Sequence, residues 1–186
     1  MKAAVLESRK LSESRNFLMY PEGNAVMKRT TTQSLTAAEG QLKSFIAKFE
    51  PEHQKLIRAV RKALRRRFRT AYELAYDNYN FFAIGYGPTE RPSDAIVSMA
   101  AGASGVGLCF IYGAKLPDPH KLLLGSGNQT RFIRLESVDI LARPEVESLI
   151  AAAIARAKTS LPTRGRGKLI IRSVSAKQRP RRKAAK

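Results

Sequence analysis

The sequence predicts an α+β protein in which helices cover one face of an antiparallel sheet of about five strands, giving two layers. Three observations support this class. Apolar residues recur at helical spacing near both ends of the region 36–159, and short apolar segments separated by turn residues occupy its middle. Strands grouped between helices, rather than alternating with them, are typical of α+β proteins. The chain has 186 residues, of which 44% are hydrophobic, enough for one domain with its own core.

Three helices are predicted within this region. The first begins after Thr36, because Thr36 and Glu39 have the spacing of a capping box, and it ends before Pro51. The second begins at Pro51, where a missing backbone N–H costs nothing, and its apolar residues form one stripe. The third begins at Pro144 and carries acidic residues in its first turn, where they complement the helix dipole.

The sheet is predicted from the apolar segments between the second and third helices. Residues 94–101 and 106–112, joined by the tight connection 102–105, predict a β-hairpin. Residues 81–84 form a short apolar strand that ends at a glycine-rich turn. Residues 130–135 alternate between polar and apolar side chains and predict a further strand.

Charge is the unusual property of this composition. The chain has 34 basic and 15 acidic residues, a formal net charge of +19, and residues 159–186 contain ten of the basic residues and no acid. We therefore divide the chain into a flexible leader (residues 1–35), a domain (36–159) and a basic, disordered tail (160–186). The apolar segment 169–171 interrupts the tail and would add a short strand or dock on the domain. The tail candidates for polyanion binding are Arg179, Arg181, Arg182 and Lys183.

Part of the remaining charge is ordered along the second helix. Basic residues recur at helical spacing opposite its apolar stripe. Two interpretations remain open: a solvated helix face, or a ridge that contacts phosphates, since like charges at i,i+4 repel unless a partner relieves them. The patch would grow if basic residues of the strand 130–135 joined it. The polyanion-binding candidates in the domain are therefore Arg58, Arg61, Arg65, Arg69, Arg131 and Arg134.

A glycine-rich segment is the other candidate anion site. Gly125, Ser126 and Gly127 would let backbone N–H groups approach an anion, with basic residues on either side. The segment lacks the Lys-Ser/Thr ending of a P-loop, and a predicted strand follows it rather than a helix. A tight loop that leads into this strand is the alternative interpretation.

The sequence contains no catalytic or metal-binding constellation that we recognise. The histidines His53 and His120 lie far apart, and no HExxH or CxxC spacing occurs. Cys109 lies in the apolar segment 106–111, which predicts a buried thiol rather than a nucleophile. We therefore predict neither enzyme activity nor a metal site, and we assign no cofactor. A lone cysteine favours a reducing compartment. No apolar segment approaches the roughly 18 residues of a membrane span. We therefore expect a cytoplasmic protein.

Several segments resemble the YdhG-like family of small bacterial domains. They are residues 45–52 ahead of a long helix, the turn 85–87, the glycine-rich loop and strand 121–135, and the opening of the last helix at 144–150. The resemblance covers roughly residues 38–158 and implies a frataxin-like two-layer sandwich. Some members are regarded as frataxin-like iron chaperones. Iron delivery needs clustered surface carboxylates, and the helix in question carries arginines instead, so no metal ligands are carried over.

Three hypotheses for function follow. The leading one is a non-enzymatic binding module of the YdhG-like class whose ligand is unidentified. The second is a nucleic-acid-associated protein that uses the basic helix and tail, with sequence-independent affinity for phosphates. The third is a frataxin-like intracellular iron chaperone. The oligomeric state is left open by the sequence.

Overall fold

The computed structural model describes residues 35–182. These residues contain three α-helices: α1 (Leu35–Ala47), α2 (Pro51–Arg67) and α3 (Pro144–Ala155). The predicted starts of α2 and α3 at prolines are confirmed, and α1 begins near its predicted start. The rest of the predicted leader and the tail candidate Lys183 lie outside the described residues.

The strands of the described region form one six-stranded sheet in the order β5-β4-β3-β2-β1-β6. Neighbouring strands from β1 to β5 pair antiparallel, and the predicted hairpin is formed by β3 and β4. Short 3-10 helices at Pro92–Asp94, Gly113–Lys115 and Val138–Ala142 lie in the connections. The strands are β1 (Tyr72–Asp77), β2 (Phe82–Gly87), β3 (Val97–Gly102), β4 (Gly105–Phe110), β5 (Arg131–Leu135) and β6 (Leu169–Val174).

The sixth strand corrects one prediction and confirms another. β6 runs parallel to β1, so the sheet is mixed and not purely antiparallel. The apolar segment 169–171, which was expected to add a strand or dock on the domain, forms the first part of β6, so this part of the predicted disordered tail is ordered. The physical reason is the open edge of β1, whose backbone groups need partners. The chain returns after α3 and supplies them from the apolar segment around Leu169, which is buried.

The main core lies between the helices and one face of the sheet. It contains buried side chains from all three helices and from β1 to β6. Phe45 of α1 and Phe49, which follows α1, each pack on Phe82 with ring centroids 6.2 Å apart, and Phe68 stacks on Tyr86 at 5.9 Å. The α+β class with two layers is therefore confirmed.

The face of the sheet opposite the main core carries a second, smaller cluster. It consists of Phe81, Ala83, Ala100 and Cys109. The side chain of Cys109 is fully buried, and burial raises the pKa of its thiol. The predicted burial of this cysteine is confirmed, and a thiol in this state is a poor nucleophile.

Candidate polyanion-binding surface

The basic residues of α2 divide into two faces rather than forming one stripe. Arg61 and Arg65 point toward α1 and the sheet, where carboxylates receive them. The other basic residues of α2 are exposed, and one of them, Arg67, pairs with Glu147. The helix therefore carries a neutralised inner row of cations and, on its outer side, a row of cations that have no ion pair in the described region.

The inner row is a compact ion-pair network. Arg61 donates to both carboxylate oxygens of Glu39 at 2.7 Å, and to those of Glu73 at 3.0 and 2.8 Å. Arg65 lies 2.9 Å from a Glu39 oxygen and 3.2 Å from a Glu73 oxygen. The buried hydroxyl of Tyr86 donates to Glu73 at 3.1 Å. Two arginines and two glutamates cancel in charge, so Arg61 and Arg65 are engaged with protein carboxylates and do not form part of an open basic stripe.

The pKa shifts in this network have identifiable causes. The hydrogen bond from Arg61 lowers the pKa of Glu39 below its ordinary value of 4.5, although burial opposes the shift. Burial lowers the pKa of Arg61, but its hydrogen bonds to Glu39 and Glu73 outweigh burial and the net shift is upward. Burial, reinforced by the negative charge of Glu73, raises the pKa of Tyr86. The shifts of Glu39 and Arg61 both favour the ionised forms that the ion pair between them requires.

The outer row of α2 is a line of exposed cations that we call the α2 ridge. Successive members are three or four residues apart. The four that belong to α2 therefore lie on one side of the helix over about 16 Å, at 1.5 Å per residue, and the fifth, Arg69, follows its C-terminal end. In the described part of the chain none of them forms an ion pair, and Arg58 alone among them has a side-chain hydrogen bond, to Gln54 at 2.9 Å. The ridge consists of Lys55, Arg58, Lys62, Arg66 and Arg69.

The ridge continues beyond the C-terminal end of α2. The Gly167 N–H donates to the Arg69 carbonyl at 2.9 Å, and the Glu73 N–H donates to the Lys168 carbonyl at 2.8 Å. Gly167 lies so close to Ala71 that an added Cβ would come within 1.5 Å of the Ala71 carbonyl oxygen. This close approach places the segment 164–168 beside the end of the ridge. Its exposed cations are Arg164, Arg166 and Lys168.

The tail candidates occupy defined positions on the domain. Arg181 is buried, and its guanidinium lies 3.0 Å from Oδ1 of the fully buried Asp77. Arg179 lies over the ring of Tyr79, 5.5 Å from its centroid, and Arg182 is exposed. Arg181 therefore has a structural position that a disordered tail does not offer, and a buried guanidinium does not contact a surface ligand.

The strand candidates Arg131 and Arg134 do not join the ridge. Arg134 is opposite Gly107 in the β4–β5 register, on the face of the sheet away from the main core. Arg131 donates to the carbonyls of Gly127 and Thr130. Arg134 therefore faces away from the helices, because alternate residues of β5 point to opposite faces. Arg131 is engaged with the loop that precedes β5.

The glycine-rich segment has the geometry of a tight loop that enters β5. Leu124 and Phe132 form an isolated antiparallel bridge, with N–H to carbonyl distances of 2.8 and 3.0 Å. Gly125 adopts a φ of 104°, a conformation that favours glycine. Gly125, Ser126 and Gly127 are exposed, and the guanidinium of Arg131 donates to the loop instead of facing outward. Anion binding by these three residues stays a prediction.

Two further observations limit the chemistry that residues 35–182 offer. They contain no group of three or more His, Cys, Asp or Glu residues that could hold a metal ion. They also contain no helix with the length and apolarity that a bilayer span requires.

Sequence reasoning missed the acidic partners of the network and the Asp77–Arg181 pair. The available signal was the presence of Glu73 and Asp77 in an otherwise apolar strand, since a carboxylate in such a strand is buried only when paired.

Comparisons of this chain with protein-family models, with curated proteins and with solved structures each find no match.

Proposed function

We propose that this protein is a non-enzymatic binding module of the YdhG-like class and that its ligand is a polyanion. One observation carries the proposal: the α2 ridge is a line of five exposed cations without a carboxylate partner in the described region. Each pair of like charges at i,i+4 destabilises a helix by about 0.2–0.5 kcal/mol. A bound polyanion relieves this repulsion and gains affinity by counterion release.

The arrangement of the carboxylates supports a polyanion ligand over iron. The acidic side chains that the fold brings together on the helical side are Glu39, Glu73 and Asp77, and each of them is occupied by a cation of the protein. A carboxylate already paired with a guanidinium or ammonium group is a poor ligand for a metal cation. No specific observation favours the iron-chaperone hypothesis.

The finer assignment to a frataxin-like sandwich belongs to the same proposal, supported by the two layers and the single helical face.

Binding of a labelled duplex of about 20 base pairs, measured by fluorescence anisotropy across a salt series, tests the proposal. Each phosphate contact contributes about 0.9 to the slope of log K against log[salt]. The triple variant Arg58→Gln, Lys62→Gln and Arg66→Gln should therefore make the slope shallower by about 3. A matched control replaces three other exposed cations that have no ion pair in the described region, namely Arg91, Lys115 and Lys121, each by Gln.

The control is expected to leave the slope close to that of the unmodified protein. Non-specific binding of a basic protein to nucleic acid is typically measurable at about 100 mM salt. Absence of binding by the unmodified protein at that salt concentration would therefore refute the proposal. Equal loss of binding in the two triple variants would also refute it, because net charge alone would then explain the affinity.

A further inference from the structure

The C-terminal segment, defined here as residues 160–182, passes both ends of α2. At the Arg69 end, the Gly167 N–H donates to the Arg69 carbonyl and places three more exposed cations beside the ridge. The segment then forms the edge strand β6, and Arg182 reaches the junction between α1 and α2. It therefore contacts the ridge at Arg69 and the helix junction at Ala47.

The second meeting point is the start of α2. Arg182 and Gln54 both donate to the carbonyl of Ala47, at 3.5 and 3.3 Å. The side-chain oxygen of Gln54 accepts a hydrogen bond from Arg58 at 2.9 Å. Arg182 is thus linked to Arg58 by three hydrogen bonds, through Ala47 and Gln54. We call the exposed cations from Arg182 along the ridge to Lys168 the track.

A buried ion pair holds this second meeting point in place. The Arg181 guanidinium lies 3.0 Å from Oδ1 of Asp77, with side-chain exposures of 2% and 0%. Arg181 also donates to the carbonyl of Asn78, and its guanidinium lies 6.0 Å from the ring centroid of Phe49. Lys48 pairs with the other carboxylate oxygen of Asp77. Breaking such a pair leaves a buried charge short of partners, so this anchor fixes the residue next to Arg182.

We propose that the anchored C-terminal segment completes the binding surface and that its partner is double-stranded nucleic acid, lying along α2 and contacted through phosphates. This inference rests on the proposed function. The four ridge residues within α2 span about 16 Å, which corresponds to about five base pairs of duplex at 3.4 Å each, and Arg69 extends the ridge past the end of the helix. The segment adds cations at both ends and lengthens the contact.

The surroundings of the track favour a duplex over a single strand or a membrane. Single-strand binding uses exposed aromatic rings on which bases stack. The exposed aromatic residues of the described region are Tyr79 and Tyr112, neither of which is on α2, and Arg179 already lies over the Tyr79 ring. A membrane-surface helix presents an apolar face to lipid, whereas the apolar face of α2 is buried in the core.

The test separates an anchored track from a loose basic tail by changing the anchor without removing a cation. Asp77→Asn in the full chain keeps every basic residue and raises the net charge by one. It should nevertheless weaken duplex binding and make the salt slope shallower by about 2, as Arg179 and Arg182 leave their positions. Glu147→Gln makes the same charge change by removing the exposed partner of Arg67, and it should bind as tightly as the unmodified chain or more tightly.

If Asp77→Asn binds as tightly as Glu147→Gln, the anchored track is overturned. The proposed function is tested separately, by the triple variant of the ridge. A second pair of variants serves if Asp77→Asn does not fold. Arg181→Ala removes one positive charge from the buried anchor. Lys177→Ala removes one positive charge from an exposed site. Arg181→Ala should reduce the slope by more than the roughly 0.9 expected for Lys177→Ala, and equal losses would overturn the anchor.

The partner is tested by competition at equal phosphate concentration. The labelled duplex should be displaced by unlabelled duplex more effectively than by a single strand of the same length, by inorganic polyphosphate or by phosphatidylserine vesicles. Equal or better competition by any of the other three would overturn the assignment to duplex nucleic acid and would leave the ridge in place as a polyanion site.

Discussion

Arg58 and Arg61 lie on the same helix, three residues apart, and the structure gives them opposite roles. Arg61 makes four hydrogen bonds to the carboxylates of Glu39 and Glu73, and its side chain is 13% exposed. Arg58 is exposed and donates one hydrogen bond, to Gln54. We expect Arg61→Ala to reduce the free energy of unfolding without changing the salt slope of polyanion binding. Arg58→Ala should do the reverse.

The size of the stability loss follows from what Arg61→Ala leaves behind. Glu73 is 4% exposed and would retain Arg65 at 3.2 Å and the Tyr86 hydroxyl at 3.1 Å. Removing one partner of a buried ion pair costs about 3–5 kcal/mol, and the remaining donors place the expected loss near the lower limit, about 3 kcal/mol. Arg58→Ala changes an exposed site and should cost less than about 0.5 kcal/mol.

Urea unfolding followed by far-ultraviolet circular dichroism at pH 7 measures the first effect, and the duplex salt series measures the second. Equal stability losses in the two variants would refute the division of α2 into an inner and an outer row. A shallower salt slope for Arg61→Ala, with the slope of Arg58→Ala unchanged, would refute the assignment of phosphate contacts to the outer row.

Two further predictions concern the same surfaces. The pKa of Glu39 is lowered in the folded state, so its contribution to the free energy of unfolding is present above its ordinary value of 4.5 and is lost as pH falls through the folded pKa. Glu39→Gln should therefore be less stable than the unmodified protein at pH 7 and should lose less stability on acidification. Urea unfolding between pH 3 and pH 7 measures both effects. Parallel profiles of unfolding free energy against pH for the two proteins would contradict the prediction. Gly167→Ala adds a Cβ where the Ala71 carbonyl leaves no room, so it should lower the unfolding temperature and weaken duplex binding with no change of charge. Gly40→Ala, at an open position in α1, is its control, and equal behaviour of the two variants would contradict the close approach at Gly167.

Local signals explain which parts of the fold were predictable from sequence. Pro51 and Pro144 open their helices because a proline suits the first turn, and the β3–β4 hairpin follows from two apolar segments around a tight connection. β6 carries a weaker signal, since its three apolar residues stand among charges. Its place beside β1 depends on the open edge that β1 presents after folding, and no local pattern in residues 169–174 encodes a parallel partner.

The same reasoning explains why helical spacing alone did not separate the paired arginines of α2 from the exposed, unpaired ones. Basic residues at positions 58, 61, 62, 65, 66 and 69 cover a wide arc of the helix, so periodicity fits more than one face. The partners that select the inner row are Glu39 and Glu73, which lie 22 and 12 residues from Arg61 in the chain. Which arginines they neutralise depends on how α1 and β1 pack against α2, and that is a tertiary property.

The fold also concentrates positive charge on the outside of the helical layer beyond what the composition implies. Glu39, Glu73 and Asp77 pair with four cations, of which Arg61, Arg65 and Arg181 are buried or partly buried and Lys48 is exposed. The ridge cations have no ion pair in the described region, and the acidic residue of α2 is Glu52 in its first turn, so positive charge dominates the field along the rest of the helix. In an unfolded chain the same acids would be free to screen the same cations. Arg65 contacts both Glu39 and Glu73, so the loss of Arg61 alone still leaves these carboxylates held away from the ridge.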